Sequence, residues 1–179
     1  VAKQGLDIGL KVYTPIVENM PSGTAIRPGD ILHMRNGKTI EVINTDAEGR
    51  LIMADALAFA SESKPDIICD VATLTGAAYV ALGVEIGAVF SNNKVTLDSF
   101  LNSNNDGFEN YHSLPLEQSY KSQIKSNIAD MKNSGGRFGG AITAALLLEE
   151  FVDDLDWVHL DIAGPARSRS SSSLYPEGG

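Results

Sequence analysis

The stretch LIMADALAFASESKPDIICDVATLTGAAYVAL, residues 51–82, decides the fold class, because it reads as helix, strand and helix in immediate succession. Residues 51–62 are dominated by Ala, Leu and Met, which are good helix formers, and are apolar nearly all round, as in a buried helix. Lys64-Pro65 stops that helix, since proline disfavours the α conformation in the residue before it. Residues 66–72 (DIICDVA) form a short apolar run bounded by turn signals, the pattern of a buried strand. Residues 76–82 suit a second helix, ended by Gly83. Working outward, residues 85–90 (EIGAVF) give another apolar strand, residues 141–152 (AITAALLLEEFV) a strong helix, and residues 157–163 (WVHLDIA) a last strand before Gly164-Pro165. Strands alternating with helices indicate an α/β layered domain. The strands are short and mostly non-alternating, so both sheet faces are expected to be covered, as in an α/β/α sandwich around a mixed, mainly parallel sheet.

The flanking segments are less regular. Residues 9–17 (GLKVYTPIV) read as a strand, and residues 18–30, punctuated by Pro21, Gly23, Pro28 and Gly29, as a loop. Residues 31–34 and 39–43 flank Arg35-Asn36-Gly37-Lys38, and Asn-Gly between two apolar runs predicts a hairpin. A helix is expected over residues 96–104 with Thr96 as its cap, followed by a polar loop over 102–110. Residues 115–127 predict an exposed helix with Pro115 at its first turn, and residues 133–140 (NSGGRFGG) a flexible loop. The serine-rich tail, residues 168–173, is expected to be mobile.

Composition narrows the function classes. At 43% hydrophobic and 21% charged, the 179 residues suit an ordinary globular chain of one domain, at about 150 residues per domain. No apolar run reaches the length of a membrane-spanning helix. Fourteen Lys and Arg against 23 Asp and Glu leave a net charge of −9, which argues against sequence-independent nucleic-acid binding. The single cysteine, Cys69, excludes an internal disulfide framework and reads as an inert buried thiol. Val1 at one end and YPEGG at the other read as cut ends of a longer chain.

In open α/β sheets ligands bind beyond the carboxyl ends of the strands. Three polar segments leave expected strand ends: residues 44–50, 73–76 and 161–164. If they converge, they form one site. In the first, NTDAEGR, Asp46 and Glu48 alternate across Ala47, and in an extended exit they point to the same side. Two such carboxylates repel until a divalent cation lies between them, and their hard oxygens suit Zn²⁺, Mn²⁺ or Mg²⁺. Arg50 adds a permanent cation suited to an anion or a developing oxyanion. The plainer reading makes Asp46 a helix cap and Arg50 its ion-pair partner. In the second segment, Thr73-Leu74-Thr75-Gly76 offers backbone groups and hydroxyls that suit a substrate, and equally a helix capped by Thr73 or Thr75. His33, His112 and His159 are far apart, and His159 reads as a satisfied core histidine. Residues 132–140 lack the phosphate-binding G-x-x-x-x-G-K-[ST] pattern, and neither Ser22 nor Ser134 lies in a nucleophile elbow.

NTDAEGR at 44–50, continued by LIMADAL at 51–57, resembles the signature of the leucyl aminopeptidase family, also called cytosol aminopeptidases or M17 metallopeptidases. ENMPSGTAIRPGDI (18–31), DVATLTGA (70–77), IADMKN (128–133), GAITAALLLEEFV (140–152) and WVHLDIAGPA (157–166) resemble it too, in the family's order, so the resemblance covers nearly the whole chain. It implies a cytoplasmic, homohexameric enzyme that removes leucine-like N-terminal residues from peptides with two divalent metal ions, Zn or Mn, and a bicarbonate-like anion. By resemblance, Asp46 and Glu48 are metal ligands, Glu48 bridging both ions, and Arg50 is the catalytic residue holding the anion. Thr73 and Leu74 contact substrate, and Gly76 and Ala163 line the pocket for the N-terminal side chain. The family's remaining ligands, a Lys and two Asp, and its catalytic Lys lie upstream of the matched region, and a final helix follows it. Residues 1–179 are therefore expected to be a single partial domain, the downstream part of the catalytic domain. Competing expectations are a truncated or degenerate relative serving as a non-catalytic assembly module, and a Mg²⁺-dependent phosphohydrolase.

Overall fold

The computed structural model describes residues 2–104, 109–168, 170–171 and 177–178. Two β-sheets organise the chain. The first joins β1 (Ile31–His33), β2 (Thr39–Glu41) and β6 (Met131–Lys132), with β1 and β2 antiparallel and β6 parallel to β2. The Asn-Gly turn works as the sequence indicates: Gly37 takes φ +87°, and the Met34 N–H donates to the Lys38 carbonyl at 2.8 Å.

The second sheet has the order β3 (Ile68–Ala72), β7 (Trp157–Asp161), β4 (Ile86–Ser91), β5 (Asn110–Ser113). β7 runs parallel to β3 and antiparallel to β4, while β4 and β5 are parallel. One face packs against α1 (Glu48–Ser61), α2 (Gly76–Leu82) and α4 (Gly140–Glu149). Phe90, Trp157 and Ile68 of the sheet meet Leu51, Leu57, Leu147 and Leu148 there, in the main core. The other face carries α3 (Lys94–Ser103), whose Leu97, Phe100 and Leu101 pack on Val89, Val158 and Leu160. The layers are α/β/α and the sheet is mixed, as expected. Alternation along β7 sends Trp157, His159 and Asp161 toward one face and Val158 and Leu160 toward the other, and all five are buried.

Several local expectations are corrected. Residues 9–17 form no strand; they run as irregular chain with Leu10, Val12, Ile16 and Val17 exposed, because no strand among the described residues pairs with them. The cap of α3 is Asn93, not Thr96: its side-chain oxygen accepts from the Val95 and Thr96 N–H groups, so the cap lies three residues earlier than expected. The expected exposed helix over 115–127 is a 3-10 helix over Gln118–Ile124, capped by Glu117, whose Ile124 is buried in the core. The polar loop expected over 102–110 shrinks, because α3 runs to Ser103 and β5 begins at Asn110; residues 105–108 lie outside the described residues. Of the serine-rich tail, residues 169 and 172–173 also lie outside them.

Candidate functional site

β3 and β7 are parallel neighbours, so their carboxyl ends leave the sheet along the same edge. Asp161, the last residue of β7, is fully buried there. Its Oδ1 accepts from three backbone N–H groups, those of Leu74 (3.1 Å), Thr75 (3.3 Å) and Ala163 (3.2 Å), and its Oδ2 from the Thr75 hydroxyl at 2.6 Å. The Thr75 hydroxyl oxygen in turn accepts from the Ala78 N–H at 3.0 Å and caps α2. Of the two threonines weighed as caps, Thr75 is the one used, and Thr73 is left exposed.

The segment 44–50 reaches the same edge. A Cβ built on Gly49 would lie 3.4 Å from the Leu74 side chain, so the backbone of the one segment rests on the side chain of the other. The three polar segments therefore converge. Their internal geometry differs from an extended exit. The Asp46 N–H donates to Asn44 Oδ1 at 3.0 Å, which closes a turn, and α1 then begins at Glu48 with Ala47 at its cap position and no capping side chain. Asp46 is thus not the cap of α1, nor is it the partner of Arg50, whose Nη1 donates to the Asn133 carbonyl at 3.0 Å. The Asp46 side chain is exposed, and Glu48 is half-buried in the first turn of α1, where the helix dipole favours a carboxylate.

Two atoms of this segment stand out. Glu48 Oε2 and Arg50 Nε are buried and have no hydrogen-bond partner among the described residues. Buried polar atoms are normally paired, and these two have hydrogen-bonding capacity that the described residues do not use. Burial lowers the pKa of Arg50, opposed by the nearby Asp161 and Glu48 carboxylates; a guanidinium stays charged through such a shift. The donor set fits a divalent cation in kind: carboxylate oxygen, one oxygen unpaired. It is small, since no group of three or more His, Cys, Asp or Glu side chains gathers among the described residues.

Sequence reasoning missed the residue that holds this loop. Asn133, fully buried after β6, accepts on Oδ1 from the Ile43 N–H (2.9 Å) and the Asn44 N–H (3.2 Å), and its Nδ2 donates to the Asn44 carbonyl at 2.6 Å. Its own N–H donates to the Glu41 carbonyl at 2.9 Å. Every polar group of Asn133 is thus spent on the segment 41–50. The only sequence signal was an Asn between Met131-Lys132 and a glycine-rich loop, which any turn would also show. Ala163 lines a cavity of about 440 Å³ with Tyr79, Val84, Gly164 and Arg167. A larger one, about 710 Å³, opens away from these segments, among Lys38, Lys121, Glu149 and Glu150, which pair with one another.

The other candidates take structural places. His159 is buried, as expected: its Nδ1 lies 2.6 Å from Asp70 Oδ1, Trp157 donates to Asp70 Oδ2 at 2.6 Å, and His159 Nε2 has no partner among the described residues. Cys69 is exposed, not buried, because α3 packs on β4, β5 and β7 and leaves the outer side of β3 open. Partial desolvation and the Asp70 carboxylate nonetheless push its thiol pKa up, which makes it a poor nucleophile.

Fold and site together define an α/β domain with charged side chains gathered at the carboxyl ends of its strands. The model of the cytosol aminopeptidase family, catalytic domain, matches residues 1–179. A probable cytosol aminopeptidase of Syntrophotalea carbinolica is 51% identical over 174 residues, 97% of this chain and 35% of the relative. One from Solibacter usitatus is 55% identical over 159 residues, 89% of this chain and 33% of the relative. Among solved structures, cytosol aminopeptidase from Coxiella burnetii superposes with a TM-score of 0.85 at 44% identity, over 91% of this chain and 36% of that one. A tomato leucine aminopeptidase mutant gives 0.83 at 49% identity, over 84% and 30%. The chain belongs to the cytosol aminopeptidase family and spans about a third of the length of the curated relatives it matches.

Proposed function

We propose that this chain is the downstream part of the catalytic domain of a metal-dependent aminopeptidase that releases leucine-like N-terminal residues from peptides. The observation that carries the reading is the pair of buried, unpartnered atoms, Glu48 Oε2 and Arg50 Nε, in a chain of this family. Asp46 and Glu48 would hold two divalent ions, zinc or manganese, together with ligands from outside residues 1–179. Such ions supply Lewis acidity to a peptide carbonyl and an activated water near neutral pH.

The chain's own residues do the rest. Arg50, desolvated and fixed through the Asn133 carbonyl, presents its guanidinium to an anion such as bicarbonate and to the negative charge that develops on the carbonyl oxygen. A buried donor held in place needs no reorganisation when that charge appears. Thr73 and Leu74 contact the peptide backbone as it enters the crevice, and Gly76 and Ala163 leave room for the N-terminal side chain. We read the working protein as a cytoplasmic homohexamer acting on peptides; no helix among the described residues is long and apolar enough to cross a membrane.

The test is hydrolysis of leucine p-nitroanilide by the full-length protein after chelation, then after return of Zn²⁺ or Mn²⁺. Activity is expected to vanish and recover. Asp46→Ala and Glu48→Ala should each lower kcat/KM by at least a hundredfold. Wild-type rates in both variants would overturn the assignment.

A further inference from the structure

We propose that Asp161 is a positioning residue that sets the width of the pocket for the substrate's N-terminal side chain; this rests on the aminopeptidase reading above. The proposed pocket has two walls from different strands. Leu74 and Gly76 follow β3, and Ala163 follows β7. Beyond the last pairing between these strands, an Ile162 N–H to Ala72 carbonyl bond of 2.9 Å, no further backbone bond among the described residues joins the two exits. What joins them there is one carboxylate. Asp161 Oδ1 gathers the N–H groups of Leu74 and Thr75 from one wall and of Ala163 from the other.

The second oxygen extends the hold. Oδ2 accepts the Thr75 hydroxyl at 2.6 Å, which orients Thr75 so that its oxygen caps α2 through the Ala78 N–H. Gly76 is the first residue of α2, so the start of that helix and one pocket wall are fixed by the same carboxylate. All four contacts are donors to Asp161, which suits a carboxylate, a group that only accepts. Asp161 is fully buried, so water does not substitute for any of these bonds. Discrimination between side chains differing by a few methylenes is worth 10–200-fold per methylene and depends on close walls, so a slack wall forfeits it. Asp161 also lies near enough to Arg50 to act on its charge. Loss of that influence would slow all substrates alike, whereas a change of width alters their ratio.

The experiment compares kcat/KM for leucine and alanine p-nitroanilides in the metal-loaded full-length protein, with metal affinity measured by titration calorimetry. In Asp161→Asn the leucine-over-alanine ratio should fall at least tenfold while metal affinity stays within twofold of wild type. Thr75→Val, which keeps the three backbone bonds to Asp161, should lower the ratio severalfold, and Thr75→Ser should restore it. Ratios within twofold of wild type in folded Asp161→Asn and Thr75→Val proteins overturn the proposal and leave the aminopeptidase reading standing. If Asp161→Asn does not fold, Thr75→Val decides alone. A wild-type protein that hydrolyses neither substrate overturns both.

Discussion

Replacing Asn133 by alanine removes the side chain that ties the Asp46–Glu48 loop to the rest of the molecule. Three backbone groups lose a partner within ordinary hydrogen-bond distance: the Ile43 N–H, the Asn44 N–H and the Asn44 carbonyl. Each such bond contributes about 1 kcal/mol net, and up to about 3 kcal/mol when the orphaned group stays buried. Ile43 and Asn44 are exposed in the folded protein, so water can rehydrate their backbone, and the lower figure applies. The expected loss is about 3 kcal/mol, or roughly 6–12 °C in Tm for a domain of this size. The hold on Arg50 runs through the Asn133 main-chain carbonyl and survives the substitution. Urea unfolding followed by circular dichroism measures the change as a lower midpoint at constant slope. Asn133→Asp separates the two halves of the amide. It keeps an acceptor for both N–H groups but sets an oxygen against the Asn44 carbonyl, so its stability should fall further as pH rises and that carboxyl ionises. If Asn133→Ala unfolds within about 0.5 kcal/mol of wild type, the range of an ordinary surface substitution, the loop is held by something other than this amide.

Further outcomes follow from the ionisable groups and the tight contacts. Burial raises the Glu150 pKa, but ion pairs with Lys121 and Lys38 outweigh it and bring the net value below the ordinary 4.5. A depressed carboxyl contributes stability above its unfolded value and loses it as pH falls through the folded one, so Glu150→Gln should flatten the acid limb of a stability–pH curve below about pH 4.5. Tyr111 has its pKa pushed up to about 12 by burial and by its hydrogen bond to Glu109. That contribution is complete below pH 10 and disappears toward 12, so Tyr111→Phe should remove a step of alkaline destabilisation in that window. A Cβ built on Gly164 would lie 2.1 Å from the Gly83 carbonyl oxygen, backbone that cannot swing aside. Gly164→Ala should therefore cost at least about 1–3 kcal/mol in thermal unfolding and disturb Ala163 next to it.

The sequence disclosed elements wherever composition and period agreed with the tertiary environment. α2 runs over the expected residues, and α1, α4, β3, β4 and β7 start or end within a few residues of expectation, because each is a strongly apolar run closed by Gly, Pro or a polar turn. It failed where pairing decides. Residues 9–17 carry strand composition without a neighbour to receive their hydrogen bonds, while β5, Asn110-Tyr-His-Ser113, carries little apolar composition and is a strand because β4 offers it an edge. Intrinsic β-preference is mostly a statement about neighbours, and one chain segment does not display its neighbours.

The site divides along the same line. Asp46, Glu48 and Arg50 announce themselves because their chemistry is packed into seven consecutive residues, NTDAEGR. The residue that holds their loop, Asn133, arrives from more than 80 positions away, and Asp161 arrives from as far to hold the neighbouring exit at Leu74 and Thr75. Both are short polar residues next to glycine-containing turns, where sequence alone supports a turn role. Their burial gives them a different one. Turn-forming side chains end in solvent, but Asn133 and Asp161 are fully buried and direct most of their described side-chain bonds at other segments, Asp161 keeping only the Ala163 N–H of its own exit. A fully satisfied buried amide or carboxylate is a rigid spacer in a low-dielectric interior, where displacing it would leave several groups unpaired at once. The groups read as chemical therefore sit on a turn and a strand exit that are irregular in themselves, and two buried polar side chains, one behind each, fix their geometry.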